Sequence, residues 1–553
     1  MLLSLSYVLA LYSLSTFAAP TTNDGVPRVK LGKTTLVGRA ITASKVEFFG
    51  AIPYAEPPLG PLRLRPPVLK THLNVATFNA TNFGKGCLQY PKHLTADEVD
   101  EDCMTINVYR PAGISSDAKL PVLFWTHGGG MIQGAGNMFN GSAIVAQSIT
   151  RGTPIIYVNF NYRLGPLGFP QGQEAINNKA LNLGLKDQVT ALEWVQQNIG
   201  IFGGDKKKVT VFGESAGSIM TSALFLNSNL EKYARAAIFQ SGHLTFKGNF
   251  PATHQQSDWD GFVALVPSCA DLVAMNNTWD CIREAPVAEI FASLVNVETN
   301  TAAPFMPVLD GPDGFIPDYP SKLYAKGHFA KLPFITGTNL DEGTLFVAPT
   351  INSTDQVRAS LIAGASPSNN PASLNASVDK ILQLYPDVPA LGAPFGTGNE
   401  TFGYSSQYKR MAAISTDAMM LAPRRFWQKA AADFGVKTYG YLFTEPMLAD
   451  PPALGTTHAV DLTFVYGGLY YKPLEKTTSA HTASSYFIDY WVSFTNGLDP
   501  NDGKGVQRPK WEQYTSKNQV LLQINGQNTT TIPDTFRKTQ TDFMNSDPAI
   551  WFH

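Results

Sequence analysis

The apolar run Val209-Thr-Val-Phe212 leads directly into Gly213-Glu214-Ser215-Ala216-Gly217-Ser218, and then into the helix-compatible stretch from Ile219 to Leu226. Few chain paths satisfy such a segment. A serine between two glycines, at the junction of a strand and a helix, fits a sharp turn whose backbone is strained at the serine. Only small residues at Gly213 and Gly217 let the two flanks approach. The turn raises the hydroxyl above a sheet and aims the positive end of the following helix at it. Ser215 is therefore a candidate nucleophile. An ordinary glycine-rich turn would also fit the bare pattern; the strand before it and the helix after it favour catalysis.

From Leu120 onward, short apolar runs alternate with helical patterns. Val122–Thr126, Ile155–Phe160 and Val209–Phe212 read as strands buried on both faces, because each is nearly continuously apolar. Ala236–Phe239, Leu332–Thr336 and Tyr439–Phe443 read as further strands. Between them, Lys186–Ile199 carries Val189, Leu192, Trp194, Val195 and Ile199, most of them on one helical face. Strands alternating with helices predict an α/β fold with a mostly parallel central sheet covered by helices on both faces. The stretch from 351 to 403 has no clear period and is expected to form helices and loops outside the sheet.

A second buried strand ends in Trp125-Thr-His127-Gly128-Gly129-Gly130. A glycine run can present backbone N–H groups to a developing oxyanion without side-chain obstruction. Gly129 and Gly130 are the expected donors, together with the N–H of Ala216. A phosphate-cradling loop is disfavoured because no Lys-Ser/Thr follows at the required spacing. His127 is read as an orienting residue of the loop.

In a fold of this class the acid and then the histidine follow the serine along the chain. That order leaves His243, His254, His328, His458, His481 and His553 as possible bases. His458 stands in Gly455-Thr-Thr-His458, a loop after the strand Tyr439–Phe443, where a base belongs. The strand Leu332–Thr336 runs into Gly337-Thr-Asn-Leu-Asp341-Glu342-Gly343, and either carboxylate could reach the histidine.

The 553 residues carry 42 Lys and Arg against 44 Asp and Glu, with no basic stripe, so nucleic acid is a poor partner. Met1 to Ala19 is apolar, rich in Leu and Ser, and ends in small residues, as a secretory signal peptide does. No later segment is apolar for long enough to cross a membrane. Four cysteines, Cys87, Cys103, Cys269 and Cys281, suit two disulfides in a secreted chain. Pairing Cys87 with Cys103 and Cys269 with Cys281 closes the shortest loops. Asn-x-Ser/Thr triplets at Asn79, Asn140, Asn276, Asn352, Asn375, Asn399 and Asn528 offer glycosylation acceptors.

These signposts together resemble the type-B carboxylesterase/lipase family, the group that contains the cholinesterases. In order along nearly the whole chain they are Ala55-Glu-Pro-Pro-Leu-Gly60, Glu101-Asp-Cys103-Met-Thr-Ile-Asn107, His127-Gly-Gly-Gly130, Asn161-Tyr-Arg163, Gly184-Leu-Lys-Asp187, Phe202-Gly-Gly-Asp205, Gly213–Ser218, Asp341-Glu-Gly343 and Gly455-Thr-Thr-His458. Pro304-Phe-Met-Pro-Val-Leu-Asp310, Leu421-Ala-Pro-Arg-Arg425 and Gly497-Leu-Asp499-Pro are similar to the fungal extracellular lipase and sterol-esterase branch. The resemblance implies an α/β-hydrolase fold with an apolar acyl pocket. It selects Glu342 as the acid, supports His458 as the base, and implies the same two disulfides. Arg63 with Glu101, and Arg163 with Asp187, match family positions and read as structural ion pairs.

What these residues predict is a signal peptide over 1–19 and one α/β-hydrolase catalytic domain over 20–553. The expected protein is a secreted carboxylic ester hydrolase that acts on apolar esters through Ser215, His458 and Glu342, with a small-molecule ester as its partner and without metal or cofactor. A sterol esterase or an aryl, feruloyl-type esterase is an alternative within that chemistry. From another class, some family members are adhesion proteins that have lost the serine, but here each triad position is filled. Nothing in the sequence sets an oligomeric state. In lipases of the branch it resembles, the loop closed by the first disulfide forms a long flap over the pocket. Here the loop from Cys87 to Cys103 is short and acidic, which predicts a pocket open in water.

Overall fold

A computed structural model describes residues 25–227, 229–246, 250–297, 305–365, 370–470 and 472–551. The signal peptide read over Met1–Ala19 lies outside them. An eleven-stranded mixed sheet organises the chain. Numbered in chain order, its strands are β1 (Arg39–Ile41), β2 (Val46–Pro53), β3 (Thr105–Pro111), β4 (Leu120–Thr126), β5 (Ile156–Phe160), β6 (Gly204–Glu214), β7 (Ala236–Gln240), β8 (Phe334–Asn339), β9 (Thr438–Phe443), β10 (Val520–Ile524) and β11 (Thr530–Pro533). Across the sheet they lie in the order β11-β10-β9-β8-β7-β6-β4-β5-β3-β2-β1. The pairings from β10 through β9, β8, β7, β6 and β4 to β5 are all parallel, and those at the two margins are antiparallel.

Successive strand residues point to opposite faces, so each parallel strand feeds two cores. Val122, Phe124, Val158, Val211 and Phe239 face one of them, which is closed by the helices Leu183–Asn198 and Ala216–Asn227 through Leu192, Trp194, Val195, Met220 and Leu224. Leu123, Trp125, Tyr157, Phe212 and Ile238 face the other, which is closed by the helix Thr478–Gly497 through Phe487, Tyr490, Trp491 and Phe494. Both faces are buried, which is why these strands read as continuous apolar runs rather than as alternating ones.

One difference from the sequence reading follows from local chemistry. The strand expected over Leu332–Thr336 lies at Phe334–Asn339. It runs on through Gly337, whose missing side chain leaves room for the ring of Tyr441, where a Cβ would stand 2.1 Å from Cδ1. The stretch from 351 to 403 does lie outside the sheet. Its helices Thr354–Gly364 and Pro371–Leu384 bury Val357, Leu361, Val378 and Ile381 in a separate cluster with Tyr408, Ala412 and Trp551. Cys87 is bonded to Cys103 and Cys269 to Cys281.

Candidate active site

The polar centre sits at the C-terminal ends of β4, β6, β7 and β8. The turn after β6 places Ser215 at φ 52°, a left-handed conformation that strains a side-chain-bearing residue. The strain is held from both sides: the Ser215 N–H donates to the Gln240 carbonyl at 3.0 Å, and its own carbonyl accepts from Ile219 at 2.9 Å. A Cβ on Gly213 would stand 2.5 Å from the Gly217 carbonyl carbon, and one on Gly217 would stand 2.0 Å from the Thr126 oxygen. Neither position admits a larger residue, so the sequence spacing has a steric cause.

His458 Nε2 lies 2.8 Å from Ser215 Oγ, and His458 Nδ1 lies 2.6 Å from Glu342 Oε2. Glu342 is fully buried, and its other oxygen accepts from the Asn339 N–H at 2.6 Å. With Nδ1–H donating to the carboxylate, Nε2 of the neutral ring is free to accept a proton from the serine. The neighbouring carboxylate takes a different part. Asp341 accepts from Phe395 N at 2.7 Å and Thr456 N at 2.9 Å, which fastens the base's loop to the acid's loop. Burial, against those two hydrogen bonds, pushes Asp341 up to about 6. The choice between Asp341 and Glu342 was open in the residues alone; in the structure only Glu342 reaches the imidazole.

Gly129 and Gly130 both adopt positive φ, 106° and 64°, and Ala216 opens the helix Ala216–Asn227. The first N–H groups of a helix have no intrahelical acceptor, so Ala216 N–H is available to a ligand. The glycine loop lies against the serine turn: a Cβ on Gly128 would stand 2.8 Å from Glu214 Oε2 and 3.1 Å from Ser215 Cβ. His127 is buried, stacks on Tyr162 at 4.3 Å and donates from Nδ1 to the Gly128 carbonyl. Burial lowers its pKa to about 4, so it stays neutral and orients the loop.

Two more carboxylates complete the electrostatics: Glu214, whose place beside the nucleophile in the sequence suits it to tune the His458 cation, and Asp461, to which the sequence reading assigns no role. Glu214 Oε1 lies 3.2 Å from His458 Nε2, and Asp461 is buried within the same cluster, held by Gln240 Nε2 at 2.9 Å. Asp461 lies three residues after the base, and only the folded structure turns that helical turn toward the imidazole's surroundings. Burial pushes Glu214 up to about 8; the His458 cation opposes this, and Asp461 and Glu342 add to it. Burial also disfavours the His458 cation, but Glu214, Glu342 and Asp461 outweigh it and push His458 up to about 9. A raised base has a definite sign in the pH profile. A histidine placed as His458 is can take a serine proton only when neutral, so as a general base it predicts a kcat/KM that rises with pH through this titration and flattens above it. The limb belongs to His458 and Glu214 together. Its midpoint is expected above about 6.5, the unperturbed histidine value, and Glu214→Gln should move it down. A profile already flat at about pH 6 would contradict the assignment.

Arg63 pairs with Glu101 (Nη2–Oε2 2.8 Å), and Arg163 pairs with Asp187 (Nη2–Oδ1 2.6 Å); both pairs are buried. Arg63 also donates to the carbonyls of Ile282 and Ala285, and Arg163 to that of Arg65. Their donors are spent on the fold. Among the described residues, no group of three or more His, Cys, Asp or Glu side chains is arranged to hold a metal ion. No helix among them is long and apolar enough to cross a membrane.

A hydroxyl, an imidazole and a buried carboxylate in hydrogen-bonded series, set at the ends of parallel strands, form the arrangement of serine hydrolases of the α/β-hydrolase fold. The model of the carboxylesterase family matches residues 26–544, and the chain belongs to that family; it is a serine carboxylic ester hydrolase. It is 33% identical to Lipase 1 of Geotrichum candidum over 92% of this chain and 94% of that one. Secreted lipase 1 of Botryotinia fuckeliana is likewise 33% identical, over 95% and 93%. Aspergillus niger EstA shares the fold, with a TM-score of 0.82 over 96% of this chain and 99% of that one at 24% identity.

Proposed function

We propose that this esterase hydrolyses apolar carboxylic esters outside the cell by acyl transfer through Ser215. The observation that carries the reading is the continuous relay from Ser215 Oγ through His458 to Glu342, at 2.8 and 2.6 Å. His458 Nε2 takes the hydroxyl proton as Oγ bonds to the ester carbonyl carbon. The carbonyl π pair moves to oxygen, where the N–H groups of Gly129, Gly130 and Ala216 receive it. The intermediate collapses, the C–O bond to the alcohol breaks, and the alkoxide leaves with the proton from Nε2. Water then attacks the acyl-serine by the same steps, and the carboxylic acid departs. Glu342 stays ionised throughout and stabilises the imidazolium. Each group needed for this chemistry comes from the chain itself.

Support for apolar substrates comes from the approach to the base. Phe346 is 44% exposed and its ring centroid lies 4.9 Å from that of His458, with Leu345, 51% exposed, beside it. Lipase relatives point the same way. Extracellular location is supported by the secreted lipase relative, by the two disulfides, and by the leader pattern of residues 1–19. One family match running from 26 to 544 supports a single catalytic domain over 20–553.

The test is stoichiometric labelling by an organophosphate, followed by hydrolysis of a panel of triglycerides, sterol esters, feruloyl esters and p-nitrophenyl esters of increasing chain length. A Ser215 adduct with parallel loss of activity is expected, as is a preference for aliphatic acyl groups. Labelling elsewhere, or no turnover of any ester in the panel, would favour a binding module with a vestigial site.

A further inference from the structure

In the segment closed by the first disulfide, one side chain grips the backbone that leads to the glycine loop. Gln89 is 2% exposed, and its side chain spends both of its polar atoms on backbone. Its Nε2 donates to the carbonyls of Cys87 at 2.9 Å and Gly134 at 3.0 Å, and its Oε1 accepts from Gly134 N at 2.8 Å. Only this orientation of the carboxamide satisfies all three partners. Gly134 is thus gripped at both its N–H and its carbonyl, as by a neighbouring strand.

Gly134 in turn fits closely against the oxyanion loop. It adopts φ 107°, and a Cβ there would stand 2.6 Å from His127 Nδ1 and 2.8 Å from the Gly128 oxygen. The turn between them is tight: the N–H groups of Ile132 and Gln133 both donate to the Gly129 carbonyl, at 3.2 and 3.1 Å. A second clamp runs parallel to the first. Asn161 accepts from Gly136 N at 2.7 Å and donates to the Lys85 carbonyl at 2.8 Å. Leu88 and Leu94 are buried, and Leu94 lies against Gly86, where a Cβ would meet its Cδ1 at 2.7 Å. A segment so fastened does not swing, and the backbone it grips leads within a few residues to the oxyanion donors.

We propose that Gln89 is a positioning residue for the oxyanion hole, and that the Cys87–Cys103 segment is its fixed buttress rather than a lid. The inference rests on the acyl-transfer reading of Ser215. On that reading the N–H groups of Gly129 and Gly130 serve a charge that exists only in the tetrahedral intermediate. Loosening Gly134 therefore weakens binding of that intermediate more than binding of the ester.

The experiment compares Gln89→Met, which keeps the length and removes all three hydrogen bonds, with Gln89→Glu, which keeps only the acceptor for Gly134 N–H. Rates on p-nitrophenyl butyrate are expressed per Ser215 titrated with organophosphate, so a smaller folded fraction does not count as a slower enzyme. For Gln89→Met, kcat is expected to fall about tenfold or more, KM to stay within about twofold, and affinity for an alkyl trifluoromethyl ketone to fall in step with kcat/KM. Gln89→Glu is expected to lie between this variant and the parent enzyme. Unchanged kcat and unchanged ketone affinity in Gln89→Met would overturn the proposal, as would a rise in KM alone. Hydrogen exchange on the unmodified protein gives a check that needs no variant. The Gly134 amide should be strongly protected, and exchange as fast as in an open loop would overturn the proposal equally. Turnover in Ser215→Ala within about a hundredfold of the parent would instead refute the acyl-transfer reading, whatever Gln89 does.

Discussion

Ser215→Ala should abolish ester hydrolysis, lowering kcat by on the order of a million-fold, with the protein still folded. The whole effect falls on chemistry. Alanine fills the same small space and meets nearly the same strain at φ 52°, and the bonds that hold the turn, to Gln240 and Ile219, are made by the backbone. What disappears is the atom 2.8 Å from His458 Nε2. Hydrogen-bond donors that remain in an oxyanion hole still give catalysis about a thousand-fold or more above water, so a trace of turnover is consistent with the assignment. The measurement is kcat on a soluble p-nitrophenyl ester, with circular dichroism and melting compared with the parent enzyme. Turnover within about a hundredfold of the parent would exclude Ser215 as the nucleophile, since donors and binding alone cannot supply it.

Glu342→Gln should lower kcat by about ten-thousand-fold, while Asp341→Asn should leave kcat within a few-fold and lower stability instead. The two side chains are adjacent and equally acidic in the sequence, yet they meet different partners. An amide at 342 removes the charge that stabilises the imidazolium. It can also present an N–H₂ to Nδ1 and hold the ring in the wrong tautomer. An amide at 341 keeps one acceptor and turns a donor toward either Phe395 N or Thr456 N, leaving a buried N–H unsatisfied at a cost of about 1–3 kcal/mol. Side-by-side kcat values and melting temperatures separate the two effects. If the pair behave alike, or if Asp341→Asn is the slower enzyme, the acid is misassigned.

The middle of the sheet was legible in the sequence because the cores of its strands are buried on both faces and read as apolar runs; the charged start of β6 over 205–208, where Lys206 and Lys207 are exposed, was not. The antiparallel margin was not. In β2 and β3, Glu47, Asn107 and Arg110 interrupt the apolar pattern, and only the folded structure shows how they are satisfied. Arg110 donates to Glu47 across the strand pair at 2.7 Å, and Asn107 donates to Asn159 at 2.8 Å while accepting from Ala51 N at 3.0 Å. That last bond stabilises an irregularity between Phe49 and Ile52, with Ala51 at φ 56°, which further blurs the period. At the site, steric requirements were readable, while of the electrostatics only the place of Glu214 beside the nucleophile was. Gly213 and Gly217 announce a turn by their spacing, because no larger residue fits. The surroundings of His458 are different in kind: Asp461 sits two positions after Ala459 in a stretch that reads as an ordinary helix start, and its approach to Gln240 depends on the way β8 sets β7 and β9 on either side of it in the sheet.

The loops that carry Glu342 and His458 are sewn together beyond the bond between those two side chains. Asp341 holds Thr456. Thr344 Oγ1 lies 2.8 Å from Thr457 Oγ1 and donates to the Leu454 carbonyl at 2.7 Å. Asn339 Nδ2 donates to the Thr457 carbonyl at 2.9 Å. In the proposed reaction the imidazole gains and loses a charge twice in every turnover, and a pliable site would have to rearrange its dipoles each time. Here the dipoles around the ring are already set when the chain folds. The work of arranging them is done once, at folding, and each catalytic cycle draws on it without repeating it.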